Sequence, residues 1–236
     1  MKVPISITPN PLFTTTIEIR FLTNINRLEL FRKMNDVFSR DFPILEEVKI
    51  PFELKEQEEQ FKYAADYIFK NDDYSLSFST KSISFEHISE YKYWPTYSKF
   101  INESLNKIFE LNFIEQIERC GVRYGSILDG LHNPKNILNN IPKLEINNLE
   151  SNFVGFQSLY KTEYSTLYLQ ISANAKLIKN GVVRTGLYID IDSSTNKRLM
   201  PNKEIYTTLD ILHRDQKELF FSLLKDDFVE TLNPKY

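Results

Sequence analysis

Glu118-Arg119-Cys120-Gly121-Val122-Arg123-Tyr124-Gly125-Ser126 lies at the middle of the chain. Side chains of a strand alternate between its two faces. Read as a strand, the stretch puts Cys120, Val122 and Tyr124 on one face, which is apolar and suits a core. Arg119, Gly121 and Arg123 share the other face. That face carries two fixed positive charges around a residue with no side chain, where an anion, a carboxylate or a backbone can come close.

Working outward, Thr14 to Leu22 alternates in the same way, with Ile17, Ile19 and Phe21 against Glu18 and Arg20. This predicts the first strand. Leu28, Phe31, Met34, Val37 and Phe38 recur at three and four residues, which predicts an amphipathic helix capped by Asn24 or Asn26 and ended at Asp41-Phe42-Pro43. Ile44 to Leu54 reads as extended, and Pro51 places it at a sheet edge. Glu56 to Glu59 reads as a loop or helix turn, and Phe61 to Phe69 as a strand or a short helix, with strand preferred. Tyr74, Leu76 and Phe78, then Ile83 and Phe85, alternate with polar residues and form a hairpin. Trp94-Pro95 opens a second helix, with proline in the first turn where its missing N–H costs nothing.

Downstream, Asp129–Asn148 holds Pro134, Pro142 and six asparagines and reads as a connection, with a short helix over Lys135–Asn140. Phe153–Tyr160, Thr162–Ala173, Lys176–Lys179 and Val182–Asp192 read as strands. Asn180-Gly181 signals a tight hairpin. Leu167, Leu169 and Ile171 match Leu187, Ile189 and Ile191 in pattern. Ser193–Pro201 reads as a polar loop. A long helix runs from Lys203, and a short one covers Asp226–Asn233.

The expected fold is α+β, with antiparallel sheets packed against amphipathic helices. Residues 1–128 have the order of a split β-α-β (ferredoxin-like) layout. Residues 129–148 connect them to 149–236, a β-meander followed by a long C-terminal helix, the whole forming one compact unit.

Composition narrows the functional classes. A chain of 236 residues buries about 70% of its unfolded surface and needs no metal or disulfide to fold. With a single cysteine no internal disulfide can form, and a reducing cytoplasm is the expected compartment. The N-terminus carries no apolar signal region, and no apolar run approaches the ~20 residues of a membrane span. Net charge is −3 without a basic stripe, which argues against nucleic acid as the main ligand. Six glycines leave no phosphate-binding loop. No cofactor is expected.

Several residues resemble a sporadically distributed, uncharacterised prokaryotic protein family. Asn10-Pro11 before Ile17-Glu18-Ile19-Arg20-Phe21 is similar to its opening strand. Tyr93-Trp94 with Phe100 resembles its central helix. Arg119 through Tyr124 resembles its R-x-G-hydrophobic-R-Y strand, and Asp190-Ile191-Asp192 its D-x-D strand. Leu209, Leu212-His213 and Phe220 resemble its closing L-x-x-L-H helix. The family motif continues with an asparagine where this chain has Gly125-Ser126. The patchy distribution implies mobile genes, and hence a toxin–antitoxin or anti-phage defence setting.

The candidate sites follow. Arg119, Gly121 and Arg123 are candidates for an anion or nucleotide, because arginine presents a planar fork; alternatively the arginines pair with Glu18, Glu118, Asp190 or Asp192. Asp190 and Asp192 share a strand face and are candidates for a hard cation, with Asp129, Glu204 and Asp210 as further oxygens. Cys120 faces the core and reads as inert. His213, with Leu212 and Phe220, is the candidate interface of a homodimer built on the helix Ile205–Leu223. The leading expectation is a non-catalytic protein-binding component with a partner encoded nearby or with itself. A nucleotide or anion sensor, or a metal-assisted enzyme using Arg119, Arg123, Asp190 and Asp192, is the alternative.

Overall fold

A computed structural model describes residues 3–134, 137–139, 155–179 and 181–236. The strands are β1 (Leu12–Thr23), β2 (Ile44–Glu47), β3 (Tyr67–Lys70), β4 (Tyr74–Phe78), β5 (Ser82–His87), β6 (Ile114–Asp129), β7 (Gly155–Lys161), β8 (Ser165–Lys179) and β9 (Val182–Thr195). The helices are α1 (Arg27–Phe38), α2 (Phe52–Gln57), α3 (Tyr93–Glu110), α4 (Glu204–Leu223) and α5 (Asp226–Glu230). The protein is therefore α+β. Its strands hydrogen-bond in the order β2-β3-β4-β5-β1-β6-β9-β8-β7. Where the sequence pattern suggested separate sheets, the strands form one. No helix among the described residues is long and apolar enough to cross a membrane.

The chain divides into two compact units. One comprises Thr15–Val122 and Ser194–Leu212. In it, β1 pairs antiparallel with β5 so that Ile17 faces Phe85 and Ile19 faces Ile83. β4 pairs antiparallel with β5, and β3 with β4 and β2. The period-two pattern explains why this works: Ile17, Ile19, Phe21, Leu76, Phe78, Ile83 and Phe85 are all buried, while Glu18 and Arg20 between them are not. Leu30, Met34 and Phe38 of α1 and Tyr97, Ile101, Leu105 and Ile108 of α3 are buried on one stripe of each helix. Asn26 caps α1 by accepting from the Glu29 N–H at 3.0 Å. The Tyr97 hydroxyl, fully buried, donates to Phe85 O at 2.7 Å.

Two expectations are corrected here. Only Ile44–Glu47 of the stretch Ile44–Leu54 is strand; α2 begins directly after Pro51, whose fixed φ suits the start of a helix. Of Phe61–Phe69, only the end is strand, and a 3₁₀ turn occupies Glu59–Phe61.

The other unit comprises Met1–Thr14, Arg123–Ser193 and His213–Tyr236. Its core joins Leu167, Leu169 and Ile171 of β8 with Leu187, Ile189 and Ile191 of β9, as their pattern suggested, beneath Phe220, Phe221 and Val229. β7 and β8 pair antiparallel over seven residues, Gly155 with Ser172 through Lys161 with Thr166. The two segments expected on either side of Asn174 are one strand; Asn174 takes a positive φ of 55° inside it, which asparagine tolerates. The expected start of a strand at Phe153, the turn residue Asn180, and Lys135, Asn136 and Asn140 of the expected short helix lie outside the described residues. Ser193–Pro201 is less of a loop than expected: β9 runs to Thr195, and Leu199 bridges to Ile117 in the unit Thr15–Val122 with Ser194–Leu212.

Candidate functional site

Within the unit containing Val122, β6 presents Arg119 beside β1. Arg119 Nη1 donates to Glu18 Oε2 at 2.7 Å, and Arg20 Nε donates to the same oxygen at 2.7 Å. The Arg20 guanidinium also lies over the Tyr63 ring, 3.9 Å from its centroid. One carboxylate thus sits between two guanidinium groups. Gly121 leaves room for the Arg119 guanidinium to lie back across the strand. A Cβ at this position would lie 2.8 Å from Arg119 Cζ, so the arginine folds over the glycine instead of leaving the space open.

Arg123 belongs to the other unit and has its own partner. Its Nε donates to the two Asp190 carboxylate oxygens at 3.0 and 3.1 Å, and its Nη2 donates to Oδ2 at 2.5 Å. The Asp190 side chain is only 4% exposed, whereas that of Arg123 is 56% exposed. The hydrogen bond to Asp190 raises the Arg123 pKa above its ordinary value, so the charge is permanent. Tyr188, two residues before Asp190 on the same face, brings its hydroxyl between Thr14 and Asp190. Burial first, and then the Asp190 carboxylate, pushes its pKa up. A Cβ on Gly125 would collide with the Tyr188 hydroxyl and Thr14 Oγ1. This gives Gly125 a reason in this chain: the tyrosine crosses over it.

The cation-site candidates have other contacts. Asp190 is held by Arg123, and Asp192 adds a further negative charge near Arg123. Asp129 accepts from the Thr185 N–H at 3.0 Å and lies 3.6 Å from Arg184. Asp210 accepts from Trp94 Nε1 at 2.8 Å, and Glu204 pairs with Lys197 at 3.5 Å. Among the described residues no group of three or more His, Cys, Asp or Glu side chains comes together as a metal would require.

Cys120 is buried, and its thiol is pushed up to about 12 by that burial. The thiolate needed for nucleophilic attack is therefore scarce at neutral pH. His213 packs its ring against Tyr124, with centroids 5.6 Å apart. Burial, and then the charge of Lys217, lowers its pKa to about 3. Leu212 and Phe220 are 1% and 6% exposed. The three residues expected at an interface are thus core-side residues of α4, and Leu212 and Phe220 offer almost no surface to a second copy.

No protein-family model matches the chain, and no curated protein matches it.

Sequence reasoning missed the ion pair of Lys55 and Asp66. Lys55 Nζ donates to Asp66 Oδ1 at 2.7 Å and to the carbonyls of Ala64 and Ala65 at 2.9 and 3.2 Å. The three ammonium protons are all used, so the cleft that Lys55 lines with Phe21, Arg27, Asp66 and Lys81 gains no free cation from it. The only signal for the pair was an acidic–basic segment before β3. Sequence reasoning also missed the surface of β7. Leu159 is 58% exposed and faces Tyr168, itself exposed, across the β7–β8 register. Tyr160 and Tyr164 are exposed beside them.

Proposed function

We propose that this protein is a non-catalytic protein-binding component that receives an extended partner segment along β7. One observation carries the reading: β7 is the outer strand at its end of the sheet order, seven residues long, without proline, and charged only at Lys161. An edge of that kind, which no other described strand pairs with, is a template for strand addition. The opposite edge, β2, differs in each respect. It has four residues, follows Pro43 directly, and carries Glu46 and Glu47, which pair with Lys70 and Arg27.

The family resemblance on Arg119–Tyr124 and Leu209–Phe220 supports a toxin–antitoxin or anti-phage setting, with a partner encoded nearby or a second copy. A single buried cysteine suits a cytoplasmic location. The order β4-β5-β1-β6 supports the ferredoxin-like reading of the first half. The anion-binding alternative loses weight because Arg119 and Arg123 each already hold a carboxylate.

The test is co-expression with the product of the adjacent gene, followed by affinity pull-down and measurement of self-association. Wild-type protein binds one or the other, and Leu159→Pro weakens that binding about tenfold or more. A wild-type protein that binds neither sinks the reading, as does binding untouched by Leu159→Pro.

A further inference from the structure

The alternation of hydrogen bonds along β7 defines what its free edge can accept. Thr162 N–H donates to Ser165 O at 2.8 Å across the turn into β8. In an antiparallel pair, hydrogen-bonded and non-bonded residue pairs alternate. Tyr160, Ser158 and Phe156 therefore bond inward to Leu167, Leu169 and Ile171, their partners in register. Gly155, Gln157, Leu159 and Lys161 turn their N–H and C=O groups outward. No other described strand pairs with them.

We infer that a second copy of this chain occupies this edge, β7 against β7, antiparallel about a two-fold axis through Ser158. This rests on the reading of β7 as the binding edge and names its partner. The strand is complementary to itself in that register and no shift of it does as well. Gly155 then faces Lys161 of the second copy, and Gln157 faces Leu159, so every outward backbone group of all seven residues is paired. A dyad on Leu159 or on Gln157 leaves part of the strand outside the ladder. Charge agrees, because Lys161 meets glycine and not another lysine.

The side chains agree as well. Tyr160 stands opposite Phe156 of the second copy, twice per dimer. Phe156 already packs against the core of its own unit, and Tyr160, on the same strand face, is 41% exposed. The second copy's Phe156 would extend that apolar surface over Tyr160, as aromatic cross-strand pairs do. On the other strand face Leu159 meets the aliphatic part of Gln157. An isologous contact of this kind closes on itself as a dimer and leaves no β7 edge for a third copy.

The experiment is sedimentation velocity on the full chain across a wide concentration range, with Ser158→Cys and Leu159→Cys as positional probes. Ser158 would face its own counterpart as a non-hydrogen-bonded pair, about 4.5 Å between Cα atoms, within reach of a disulfide. Under mild oxidation Ser158→Cys forms a covalent dimer, and Leu159→Cys, which faces Gln157, does not. Leu159→Pro leaves the β7–β8 bonds intact but removes an outward donor, and weakens the dimer about tenfold or more. A chain that is monomeric at every concentration overturns the inference, and so does cross-linking at Leu159 in preference to Ser158. If that monomer binds the adjacent gene product through β7, the strand-addition reading survives and the second copy does not. If it binds nothing there, both fail.

Discussion

Arg123 grips Asp190 with both its Nε and its Nη2, and the carboxylate it holds is 4% exposed while its own side chain is largely in solvent. The pair is thus asymmetric: the arginine can survive alone in water, and the aspartate cannot survive alone in the sheet. A nearly buried carboxylate without its partner loses about 1–3 kcal/mol. Arg123→Ala should lower the unfolding free energy by about that much in urea titration. Arg119→Ala should cost less, because Glu18 keeps Arg20 at 2.7 Å. A larger loss at Arg119 than at Arg123 would contradict the assignment.

The pH dependence of stability should carry the mark of His213. Its folded pKa, about 3, lies below its ordinary 6.5, so between those values the unfolded chain binds a proton that the folded chain refuses. The neutral ring's contribution is present above about pH 6.5 and falls as the pH drops toward 3, by at most about 1.4 kcal/mol per pH unit. Urea midpoints at pH 7 and pH 5 measure this before most carboxylates titrate. His213→Gln should flatten that interval; an unchanged slope would assign the proton elsewhere.

Cys120 should be silent to thiol reagents in the native protein. Burial holds its thiol near 12, and Arg119 beside it offsets only part of that effect. A disulfide-exchange reagent should label it only after unfolding, at the rate of global opening. Fast native labelling would show that β6 opens locally.

The glycines of β6 and β9 should rank by what a methyl group would strike. At Gly186 it meets the Leu128 carbonyl and the Asp129 backbone, which are held in the sheet. At Gly121 it meets the mobile end of Arg119. Overpacking costs about 1–3 kcal/mol where neighbours cannot move. Gly186→Ala should therefore destabilise more than Gly121→Ala, read as the difference in denaturation midpoints. The reverse order would mean that the Arg119–Glu18 contact is the more rigid of the two.

What the sequence determined by itself is what neighbours along the chain decide. Alternation put Cys120, Val122 and Tyr124 inside and placed Ile17, Ile19 and Phe21 in the core, because a strand face repeats every two residues. Helical spacing found Met34 and Phe38 of α1 but took in Leu28, which is 55% exposed, and passed over the buried Leu30; of the two asparagines the sequence offered as a cap, the structure uses Asn26. The tertiary structure decided what depends on distant partners. Arg119 meets a glutamate 101 residues earlier, and Arg123 an aspartate 67 residues later. The motif offered both arginines as a possible anion site and did not reveal that each would be matched within the fold. Periodicity likewise cannot say which strand lies at an edge, since edge and centre share the same alternation. Pro51 had marked the β2 segment for an edge, but only the order of pairing put β7 at the other end of the described strands.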